Sequence, residues 1–153
     1  MPECSRLSTA RAEQRGARIE QMMVDGLKQM LPLDRRRWDG AYVVHTFAGL
    51  ALEDEILRKA LQRTDDELTG RVATAPENGK ECGEVPTETD TSAHGYALVA
   101  LTRGLAVRLL ASAPGGQRGR GLPPAEHRRW ASDSMARVAS DLCPGECRRV
   151  VAN

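Results

Sequence analysis

The stretch Arg36–Leu61, RRWDGAYVVHTFAGLALEDEILRKAL, decides how the rest of the chain is read. Its middle, Ala41 to Leu52, is apolar on nearly every side of a helix, the pattern of a buried central helix rather than a surface one. Trp38, Tyr42 and His45 fall on one face at helical spacing. Gly49 continues that face and leaves room for a close approach to the backbone. A row of polar-tipped rings on an apolar helix is either the wall of a small-molecule pocket or ordinary core packing. A second stripe, Val43, Phe47, Leu50, Leu57 and Leu61, suits packing against neighbouring helices. Glu53, Asp54 and Glu55 interrupt it and predict a break or kink where the helix meets solvent.

Upstream, Ile19, Met22, Met23, Leu27, Met30 and Leu31 repeat at helical spacing until Pro32 ends the run. The methionines Met22, Met23 and Met30 are flexible, polarizable side chains, suited to a bound molecule or to plain core filling. Asp34 has the chemistry of a helix cap for the quoted stretch. Downstream, Asp65-Asp66-Glu67 predicts the start of a further short helix, since acids favour a helix N-terminus. Residues 75–91, APENGKECGEVPTETDT, read as a polar loop. Asp90 to Ser92 then cap a helix over 93–112, with Leu98, Leu101, Leu105 and Leu109 on one face and Tyr96, Val99 and Arg103 on another. Gly95 and Gly104 within it predict a close helix–helix contact. A basic loop with Arg118 and Arg120 follows, and Pro123-Pro124 opens a last helix burying Ala131, Met135, Val138 and Leu142, with Trp130 beside them. Alternation at period two never lasts, so no strand is expected. The reading is an all-α bundle of about five or six helices: a frayed segment 1–12, a helical domain 13–142 and a tail 143–153.

Composition excludes several classes. A chain of 153 residues fits one domain, and 22 basic against 21 acidic residues leave a net charge of +1, without the basic excess typical of a nucleic-acid binder. No run approaches the roughly 20 apolar residues needed to span a bilayer, and the N-terminus lacks a secretory hydrophobic region, so a cytoplasmic location is expected. Cys4, Cys82, Cys143 and Cys147 form no CxxC pair. Cys143 and Cys147 flank the turn Pro144-Gly145, where a bridge or shared metal is conceivable, but His127 is the only histidine nearby. Reduced thiols, and no metal or cofactor, are the expectation. The phosphate loop, the HExxH zinc motif and the GxSxG nucleophile elbow are all missing. His45 is the one titratable group in the apolar core segment, where its pKa would respond to burial.

Three segments together, LKQMLPLDRRRW (27–38), LALEDEILRKAL (50–61) and GEVPTETDTSAHGYALVALTRGLAVRLLAS (83–112), resemble the C-terminal ligand-binding and dimerisation domain of TetR-family transcriptional regulators, the BetI-like branch especially. The resemblance covers Ala17 to Leu142 and rests on hydrophobic patterns rather than invariant residues. The family's N-terminal helix-turn-helix has no counterpart in it, so direct DNA binding is not expected. The resemblance implies a homodimer through helices 93–112 and 123–142. It also implies a ligand pocket bearing Met23, Met30, Trp38, Tyr42, His45, Tyr96, Val99 and Arg103. Those walls suit a mainly apolar ligand, with Arg103 or His45 fixing one polar or anionic group. Two rival readings remain open. One is an enzyme using such a pocket to cyclise or isomerise a hydrophobic metabolite, with His45 and Tyr42 as acid/base candidates. The other is an interaction partner of full-length TetR-type regulators.

Overall fold

The computed structural model describes residues 18–114 and 121–145. The expectations for the segment 1–12, for Arg118 and Arg120, for Cys4 and Cys147, and for the end of the tail lie outside the described residues. Within them the chain folds into α1 (Ile19–Lys28), α2 (Arg35–Leu50), α3 (Glu55–Cys82), α4 (Thr91–Ser112) and α5 (Ala125–Leu142), with no strand. The all-α bundle is thus observed.

Local chemistry sets most helix starts. The Asp34 carboxylate accepts the Arg37 N–H at 2.9 Å to cap α2, Asp54 accepts from Ile56 and Leu57 to cap α3, and Asp90 accepts from Ala93 to cap α4. The acidic interruption is therefore a true helix boundary, with Asp54 as its cap. Two expectations fail. Asp65-Asp66-Glu67 lies inside α3 rather than starting a helix, and the segment read as a polar loop from Ala75 is helical as far as Cys82. Pro76 sits buried inside α3, and a Cβ on Gly79 would lie 2.7 Å from Val85 Cγ2. Tertiary packing on Ile19 and Val85 recruits residues that local propensity assigns to a loop.

α3 and α4 run antiparallel. Thr91 meets Glu77, Gly95 meets Thr69 and Ala73, and Arg103 meets Asp65. A Cβ on Gly95 would lie 2.9 Å from the Thr69 carbonyl oxygen, so the close contact predicted for this glycine is present. Gly104 has nothing within 4 Å and makes no such contact. The core joins Met23, Val24 and Leu27 of α1, Leu98, Ala106 and Leu109 of α4, and Ala131, Met135, Ala139 and Leu142 of α5.

The central helix is α4, not α2. Only Trp38 and Ala41 of α2 are buried, while Val43, Phe47 and Leu50 are exposed. An all-round apolar pattern does not say which face is covered, and α2 packs along a single narrow face. On α5, Val138 and Trp130 are also exposed. By length and composition α4 could cross a membrane, contrary to the expectation that no run was long enough. Its contacts with α1, α2, α3 and α5 give an internal use for that apolarity.

One carboxylate ties the ends of the bundle together. Glu84 is fully buried and accepts the Ile19 N–H and the Arg18 Nε–H, both at 3.0 Å. Gly83, at φ 87°, turns the chain out of α3 so that the Glu84 and Val85 N–H groups both point at the Gly79 carbonyl. The Glu84 carbonyl accepts from Gly145 N–H, and Arg18 reaches the Cys143 and Gly145 carbonyls. A Cβ on Gly145 would lie 2.2 Å from the Gly83 oxygen. Glu84→Ala is expected to cost about 1–3 kcal/mol, because it leaves the buried Ile19 N–H without its acceptor. Gly145→Ala should also destabilise the fold, and both effects are read as lowered urea midpoints.

Candidate functional site

A cavity of about 530 Å³ opens where the end of α1, one face of α2 and the middle of α4 converge. From α1 and its exit come Gln29 and Met30. From α2 and its cap come Asp34, Arg36, Arg37, Gly40, Ala41, Val44 and His45. From α4 come Thr102, Arg103 and Ala106. The α2 contributors follow two adjacent helical rows, 36/40/44 and 37/41/45, so one face of α2 supplies most of the wall. The Asp34 cap sets where that face begins, since it fixes the first turn against the chain leaving α1.

The polar groups are unevenly committed. Arg37 Nε donates to Asp34 at 2.6 Å and its Nη1 donates to the Lys28 carbonyl at 3.1 Å. The backbone and side-chain hydrogen bonds from Arg37 hold the Asp34 carboxyl below the usual carboxylate range. Thr102 donates to the Leu98 carbonyl at 2.7 Å. Arg103 pairs with Asp65 of α3, yet its Nε–H is buried without a partner. Burial, and secondarily the Arg103 charge, lowers the His45 pKa from the ordinary 6.5.

Of the eight residues expected to form a pocket, the structure brings Met30, His45 and Arg103 to this cavity. Trp38 and Tyr42 instead stack on each other, with centroids 5.2 Å apart and planes 3° from parallel. Neither lines the cavity. Met23 is buried in the core and borders a separate groove of about 240 Å³ between α1 and α3, with Met22 and Leu68. Val99 is buried in α4, and Tyr96 is 70% exposed. The helical-face argument named residues on helices that reach this cavity, but it did not name Gln29, Asp34, Arg36, Arg37 and Thr102, which also line it, although the run Arg35-Arg36-Arg37 beside Asp34 was a legible polar signal.

Cys82 and Cys143 are both buried, and the Cys82 thiol donates to the Gly79 carbonyl at 3.4 Å. Burial, aided by Glu84 and Glu20, pushes the Cys143 thiol up to about 12. Among the described residues no three His, Cys, Asp or Glu side chains gather as a metal site would require.

The bundle is an all-α domain with a packed core and a lateral cavity of about 530 Å³. A family model described as BetI-type transcriptional repressor, C-terminal, matches residues 19–140, and the chain belongs to that family. Comparison with curated proteins and with solved structures gave no match.

The lowered His45 pKa carries a signed consequence. The unfolded chain takes up the His45 proton near pH 6.5, before the folded chain does, so this group subtracts stability as pH falls below that value. The loss levels off once folded His45 is itself protonated. In urea titrations from about pH 7.5 to about pH 5, His45→Gln should show a smaller fall in midpoint than the wild type.

Proposed function

We propose that this chain is a small-molecule-binding, dimeric regulatory domain of TetR type, with its ligand in the cavity between α1, α2 and α4. The observation that carries this reading is that cavity, of about 530 Å³, in a domain of a repressor family. Its volume falls in the range of small-molecule sites. Met30, Ala41, Val44 and Ala106 offer an apolar wall, and His45 and Arg103 offer polar anchors. The reading assigns sensing and pairing, rather than DNA contact, to residues 19–140, and it places the protein in the cytoplasm.

Pairing is supported by the outer face of α4. Ala97, Ala100, Gly104, Val107 and Ala111 are all exposed and recur at alternating spacings of three and four, the seam pattern of a helical coiled contact. Gly104, open in the single chain, leaves room there for a partner helix. Exposed Trp130 and Val138 on α5 add apolar surface. A two-fold pair of α4 and α5 makes a four-helix bundle.

Native mass spectrometry should detect a small molecule carried through purification. Ala106→Phe, which fills the cavity, should remove that molecule without loss of helical circular dichroism. Sedimentation equilibrium at micromolar concentration should give a dimer, and Val107→Glu should shift it to monomer. A wild-type monomer under those conditions would end the dimer reading.

A further inference from the structure

We infer that the cavity between α1, α2 and α4 selects an amphipathic organic anion, whose oxyanion head is held by Arg36 and Arg103 and displaces Asp65 from Arg103. The inference rests on the ligand-binding reading above and adds the charge class of the ligand and the residue that senses it.

Three guanidinium groups, those of Arg36, Arg37 and Arg103, line the cavity against the single carboxylate of Asp34. That carboxylate is already used twice, by the Arg37 side chain and the Arg37 N–H. Arg37 is used in turn by Asp34 and the Lys28 carbonyl. Two cationic groups are left with capacity to spare. Arg36 is exposed, and its guanidinium has no carboxylate partner among the described residues. Arg103 keeps a buried Nε–H with no acceptor, and its other contact is to Asp65 of a neighbouring helix. A guanidinium presents a planar fork of donors that matches an oxyanion, and an orphaned buried donor gains most from one.

A cationic ligand finds the opposite. The one carboxylate is committed, and no Trp, Tyr or Phe ring lines the cavity to supply a cation–π face. Trp38 and Tyr42, the rings nearest in sequence, are occupied with each other. The apolar wall of Met30, Ala41, Val44 and Ala106 accepts the body of the ligand while the guanidinium groups take its head. Arg103 bonds across to Asp65 of α3 from its own position on α4, so an anion that takes over its donors releases a tie between the two helices. Occupancy of the cavity thereby changes how α3 is held.

The test uses the full chain and four probes sharing an eight-carbon tail: octanoate, octyl phosphate, octanol and octyltrimethylammonium, with affinities measured by calorimetry. Octanoate or octyl phosphate should bind at least about tenfold tighter than the other two, and the stronger of them identifies the head as carboxylate or phosphate. Arg103→Gln should weaken the anion about tenfold and leave octanol unchanged. Asp65→Asn should tighten it, because the competitor is gone. Should Arg103→Gln not fold, Arg36→Gln, at an exposed position, must weaken the anion in its place. Equal or tighter binding of octanol or the ammonium probe, blocked by Ala106→Phe, overturns the anion inference and leaves the cavity reading standing. An Asp65→Asn variant with unchanged or weaker anion binding overturns the exchange. No binding by any probe at millimolar concentration removes both readings.

Discussion

The structure depends on where one carboxylate is buried. Glu84 lies in the turn after the longest helix, with no solvent exposure, and satisfies the first N–H of α1 and the Arg18 guanidinium together. A buried carboxylate is tolerable only when donors surround it. Its carboxylate has them in the Ile19 N–H and the Arg18 Nε–H, while left-handed Gly83 turns the chain there and the Gly145 N–H binds the Glu84 backbone carbonyl. Three places far apart in sequence, the start of α1, the end of α3 and the exit from α5, are thereby held at one point. The core of α1, α4 and α5 is assembled beside that point, and Cys143 is buried next to it.

From that clamp the geometry of the cavity follows. α1 is fixed at its start by Glu84, and at its other end the chain turns through Pro32 to the Asp34 cap of α2. α3, fixed at its C-terminal end, supports α4 through the close approach at Gly95 and the Asp65–Arg103 pair. α2 then covers the remaining gap along one face only, which leaves space between it and α4 rather than a filled core. The same one-sided contact leaves Val43, Phe47 and Leu50 uncovered. A cavity and an exposed apolar face are thus two results of one packing arrangement.

α4 serves two directions. Its inward residues Leu98, Thr102, Ala106 and Leu109 fill the core and edge the cavity, while its outward residues keep a small-side-chain heptad pattern. α4 rather than α2 occupies the centre because it packs against α1, α2, α3 and α5. It also places a cavity residue, Arg103, next to an open residue of the outer seam, Gly104.

Much of this was legible in the sequence. Periodicity and capping chemistry determined the fold class, the caps Asp34 and Asp90, the break at Glu53-Asp54-Glu55, and the close approach at Gly95, because these are local properties or follow from the cost of a glycine inside a helix. The family, too, was written in the hydrophobic pattern. What the sequence could not show was which face of an apolar helix is covered, since Val43 and Leu98 look alike as residues and differ only in what packs on them. The extent of α3 was hidden for the same reason, as Pro76 and Gly79 read as loop residues but are buried in the fold, Gly79 against Ile19 and Val85. Of the cavity's lining, His45, Met30 and Arg103 were named from the sequence. Which face of α2 turns toward α4, and so brings Arg36 and Arg37 to the cavity while Trp38 and Tyr42 stack away from its lining, was decided by contacts between distant segments.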